Sequence, residues 1–209
     1  CGHLRTVATW EGTFGVAYSF EGNRPGSPDH TRIEHFAEVH ARLTKLSEGP
    51  GGATWEGTPT GLVRVSGRTT TYAGTQPRVT VVSASGQPLS QPMLHERSRV
   101  FLSVNFEDCT YTTGMSAATT GTVQVTDRPV EAIEASIGSV RTNPRATGGS
   151  SNLTAGGDFA AHSAIWAITN PGEAYIFGAF SGDVITAGFA TEGNAGSARV
   201  SWSFQPTQN

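Results

Sequence analysis

Three histidines, His30, His35 and His40, recur every five residues and are the first side chains whose type and spacing invite a metal. Ligands on one helix normally stand three or four residues apart, and those on one strand an even number apart, so that they share a face. A spacing of five does neither: it turns each His by about 140° on a helix and swaps faces on a strand. His30 and His40 share a strand face but lie roughly 33 Å apart along it, too far to hold one ion. No metal site and no cofactor is expected.

Paired carboxylates for glycoside hydrolysis need two Asp or Glu about 5 to 9 Å apart across a cleft. Glu11 and Glu56 are the tempting pair, because each follows a Trp inside a duplicated segment. On a strand, however, that position points to the face opposite the Trp and meets solvent. Glu107-Asp108-Cys109 has no partner that spacing identifies. The chain has no Gly-x-Ser-x-Gly elbow, no Walker loop and no dinucleotide glycine fingerprint on a strand-to-helix turn. Asn152-Leu153-Thr154 fits the glycosylation acceptor pattern, which matters only in a eukaryotic secretory pathway. The reading leans away from an enzyme, and no catalytic residue is assigned.

The two cysteines, Cys1 and Cys109, carry three competing chemistries. Cys1-Gly2 resembles the processed N-terminus of bacterial lipoproteins, which implies a lipid on the Cys1 thiol and attachment to a membrane surface through it. Alternatively Cys1 pairs with Cys109 in an oxidising compartment. The third reading makes Cys1 an N-terminal nucleophile with its own α-amino group as base. The first two both imply export, to the extracellular space or the cell envelope.

The elements that would position these residues read as strands. Ala8-Thr9-Trp10-Glu11-Gly12-Thr13 recurs as Ala53-Thr54-Trp55-Glu56-Gly57-Thr58. Two copies are too few for a solenoid, so a duplicated strand within one sheet is expected. Trp10 and Trp55 then pack in the core, with a paired site for a ligand or partner as the alternative. Trp10, Phe14, Val16, Tyr18 and Phe20 alternate with polar or small residues, the period-of-two signal of a strand. Over Thr31 to Leu46, Phe36, Val39, Leu43 and Leu46 have helical spacing. As a strand, the same segment puts Ile33, His35, Ala37, Val39, Ala41 and Leu43 on one face, and the long hairpin is preferred.

Further strands are expected at Leu62 to Val65, Val100 to Phe106 and Thr122 to Val125, with a turn at Gly114-Met115-Ser116-Ala117. Ser139 to Asp158 reads as a surface loop. The last fifty residues read as a meander of four strands: Phe159 to Thr169, Tyr175 to Phe180, Val184 to Ala190 and Ala198 to Phe204. The fold class is therefore all-β: an antiparallel β barrel or strongly coiled β sandwich with long hairpins and a C-terminal meander. Residues 1-209 are expected to form a single β domain, with 1-8 as an N-terminal tether.

Composition narrows the function classes. Charged residues make up only 15% of the chain, with one Lys, thirteen Arg and a formal net charge of −3. Nucleic acid, whose phosphates demand clustered cations, is excluded as a partner. No window approaches eighteen apolar residues, so membrane contact would run only through a lipid on Cys1. What remains is a noncatalytic, exported or surface-anchored binding or structural subunit, with a protein partner or self-association. The alternative is a small-ligand carrier or barrel-interior enzyme with an aromatic-lined pocket.

Overall fold

The computed structural model describes residues 2–23, 28–72, 76–107, 110–137, 139–142, 154–156, 175–181, 184–193 and 196–207. Cys1, Cys109 and the expected strand Phe159 to Thr169 lie outside them. After a 3₁₀ turn at Gly2–Thr6 come β1 (Thr9–Asn23), β2 (His30–Glu48), β3 (Gly52–Gly57), β4 (Thr60–Thr71), β5 (Arg78–Gly86), β6 (Arg99–Asn105) and β7 (Thr110–Ser116). They are followed by β8 (Ala118–Val125), β9 (Glu131–Ser136), β10 (Ser139–Thr142), β11 (Thr154–Gly156), β12 (Tyr175–Ser181), β13 (Val184–Gly193) and β14 (Gly196–Pro206). The protein is all-β, and all of these strands join one antiparallel sheet.

The sheet is organised around β2. One side of β2 pairs with β1 along almost its whole length, from Thr9↔Thr44 to Asn23↔His30. Its other side is shared: His30 to His40 pair with β4, and Thr44 to Glu48 pair with β3. The sheet therefore forks. One branch continues β3, β6, β7, β10 and β11, the other β4, β5, β8 and β9, while beyond β1 lie β14, β13 and β12.

Two local features start the fork. Pro59 follows β3 and has no N–H to donate to a ladder. The register of β2 against β3 also shifts between Lys45 and Ser47, a bulge that bends the strand. The chain passes between branches again at Ala117 and at Ile137, and the Ile137 N–H donates to the Ala117 carbonyl at 3.0 Å. Among the described residues no ladder joins β11 to β12.

The period-of-two reading holds along β1 and β2: Trp10, Phe14, Val16, Tyr18, Phe20, Ile33, His35, Ala37, Val39, Ala41 and Leu43 are all buried. Segment 31–46 is strand throughout, because paired neighbours on both sides of β2 outweigh the helical spacing of Phe36 and Leu46. Phe14 stacks on Trp202 with ring centroids 6.0 Å apart, and the Trp202 indole donates to the Tyr111 hydroxyl at 3.0 Å.

Three expectations are corrected. The turn at Gly114 to Ala117 is absent: Gly114 to Ser116 continue β7, paired with β6, and Met115 is buried in the core. Ser139 to Asp158 is not a loop throughout, because Val140 to Thr142 pair with β7, and β11 pairs with β10. Residues 2–8 are not a free tether either. Leu4 is 1% exposed within the core cluster, and the Val7 carbonyl accepts a hydrogen bond from the Trp55 indole at 3.1 Å.

Candidate functional site

The two Trp-Glu-Gly copies flank β2, one on β1 and one on β3. Both indoles point inward, each is 0% exposed, and they meet edge to face with centroids 5.9 Å apart. Trp10 and Trp55 are a core contact and present no surface to a ligand or partner. The glutamates point outward, each to its own partners. Glu11 lies 3.3 Å from the His40 imidazole, and Glu56 is gripped by Arg97 and, at 3.2 Å, by Arg99.

Each copy's glycine sits where a neighbouring backbone closes in. A Cβ on Gly12 would fall 1.9 Å from the Ser203 carbonyl oxygen, and one on Gly57 2.1 Å from that of Arg42. The repeat thus encodes a buried Trp, an outward carboxylate and a glycine-sized approach of strands.

The five-residue histidine spacing places its members on alternate faces. His40 and half-exposed His30 lie outward, His30 3.8 Å from Glu21, while His35 faces the core. His35 stands directly across from Tyr18, with ring centroids 5.3 Å apart. Burial pushes the imidazole down to about 4 and raises the Tyr18 hydroxyl above its ordinary value. His35 is thus a neutral core residue at neutral pH. Among the described residues no three His, Cys, Asp or Glu gather as a metal site would require.

Two outward features were not read from the sequence. The first is a groove of about 350 Å³ at the fork, lined by Arg42, Lys45, Glu56, Gly57, Thr58 and Arg97 among others. The second is the connection between β5 and β6. At its tip Met93 is 89% and Leu94 76% exposed.

This apolar pair is held in place rather than left loose. The Glu134 carboxylate on β9 accepts the Met93 N–H at 2.9 Å through Oε1 and the Leu94 N–H at 2.8 Å through Oε2. His95 Nε2 lies 2.9 Å from the Glu134 carbonyl. The Met93 and Leu94 amides hold the Glu134 carboxyl below its ordinary value. Pro92-Met93-Leu94 between turn formers was the signal available in the sequence. Nothing local in it indicated the distant Glu134.

Comparison of the chain with protein-family models, curated proteins and solved structures finds no match in any of the three.

Proposed function

We propose that this chain is a noncatalytic, exported or surface-anchored binding or structural subunit of an extracellular or cell-envelope assembly. The observation that carries the reading is the Met93–Leu94 finger. Two adjacent large apolar side chains stand in water while one carboxylate fixes the backbone beneath both. Fully burying side chains of this size is worth roughly 1.5–3 kcal/mol each, and a finger already ordered loses little entropy on docking. That is the arrangement of an anchor for a partner's apolar pocket.

The ladder order supports a sheet curled towards a barrel. Successive strands are mostly neighbours, and β14 returns to pair with β1, as in up-and-down closure.

The test is site-specific photocrosslinking in the source cells, with a benzophenone side chain at Met93 and, as control, at Leu62. A discrete adduct from position 93 that disappears when Leu94 becomes Ser supports the subunit reading. Equal, diffuse labelling from both positions rejects it. Intact mass on the same material reports whether Cys1 carries acyl chains.

A further inference from the structure

We propose that the groove at the fork of the sheet is a binding site for small carboxylates, with Arg42 as its principal contact. The groove lies where β2 changes partners. Glu56 is paired with Thr44 and Thr60 with His40, so Ala41, Arg42 and Leu43 have no ladder partner on that side. Gly57 and Thr58 form part of its wall, and the missing Cβ of Gly57 lets the strand approach the Arg42 carbonyl closely.

Charge decides what such a groove takes. Arg42, Lys45 and Arg97 line it against a single carboxylate, Glu56. Glu56 is already committed to Arg97 and Arg99, and Lys45 to Glu48 at 2.8 Å. The Arg42 side chain has neither a hydrogen bond nor an ion pair among the described residues. Its cross-strand neighbour Glu11 turns to His40 instead. The lining thus carries three cationic side chains against one carboxylate on a chain whose net charge is −3.

A guanidinium grips a carboxylate through two parallel N–H···O bonds and takes a phosphate in the same way, so the comparison of the two anions decides the assignment. The Thr58 hydroxyl adds a donor at the rim. A volume of about 350 Å³ suits a molecule the size of a di- or tricarboxylic acid.

The experiment is isothermal titration of the full chain with citrate at low ionic strength, with inorganic phosphate as the second titrant. The variants are Arg42→Gln and Arg42→Lys, with Arg78→Gln, outside the groove, as control. Expected are saturable one-to-one citrate binding, weakened tenfold or more by Arg42→Gln and less by Arg42→Lys, unchanged in Arg78→Gln, with phosphate weaker than citrate.

Absence of saturable citrate binding, or wild-type affinity in Arg42→Gln, overturns the site. Phosphate binding as tight as citrate overturns its assignment to carboxylates. Because Arg42 is exposed, loss of binding in its variants is separable from unfolding by their unchanged circular dichroism. Neither Met93 nor Leu94 lines the groove, so failure here leaves the finger reading standing.

Discussion

The Trp10 and Trp55 indoles meet edge to face at 5.9 Å although their strands are separated by β2. Trp10 stands opposite Leu43 and Trp55 opposite Lys45, so the two sides lean towards one another over the inner face of β2. Aromatic pairs of this geometry couple by about 0.5–1.5 kcal/mol beyond their area burial. Urea unfolding of Trp10→Phe, Trp55→Phe and the double variant should return a coupling energy in that range. Strict additivity would mean that the two rings do not interact.

The glycines of the repeat predict a sharper contrast. Alanine at Gly12 or Gly57 would place its Cβ on a neighbouring carbonyl oxygen, so the strands must part, whereas a Cβ at Gly49 meets nothing within 4 Å. Gly12→Ala and Gly57→Ala should each destabilise by about 1–3 kcal/mol, the usual cost of overpacking. Gly49→Ala should lie close to wild type. Thermal melts of the three variants measure this directly, and equal melting temperatures would refute the close approach.

What was legible in the sequence was whatever alternates locally. The faces of β1 and β2 follow from period-two burial, and the outward course of Glu11 and Glu56 follows from their place one residue after Trp. What was illegible depends on distant partners. Glu131 to Ser136 carries no strand signature of its own and becomes β9 only through pairing with β8. Gly114 and Ser116 look like turn residues, yet the ladder to β6 holds them extended. The finger and the groove depend on Glu134 and Arg97, both about forty residues from the groups they hold. Periodicity does not report such separations.

His35 gives the fold an acid limit. Its folded value of about 4 lies below the ordinary 6.5, so the unfolded chain binds a proton at a pH where the native core refuses one. The stability held by the neutral imidazole is fully present above pH 6.5 and is lost as pH falls towards about 4. The total is on the order of 3 kcal/mol. Denaturant midpoints across that window should fall for wild type and fall distinctly less for His35→Phe. Parallel slopes in the two proteins would place His35 in water.

Glu134 makes the most direct prediction about function, because its two oxygens accept two consecutive amides at the base of the finger. A glutamine offers one carbonyl oxygen and turns an NH₂ donor towards the other amide, so Glu134→Gln cannot satisfy both. Hydrogen exchange at Met93 and Leu94 should quicken by an order of magnitude or more in that variant, while exchange along β1 and β2 stays unchanged. The carboxyl is held below its ordinary 4.5, so the clamp persists as pH falls past that value and opens only lower, when the carboxyl takes up its proton. Amide shifts of Met93 and Leu94 followed by NMR should therefore titrate together, with a midpoint under 4.5. A midpoint at or above the ordinary value would mean that the amides are not bound to Glu134. The finger would then be a loose loop, exposed without being prepared for a partner.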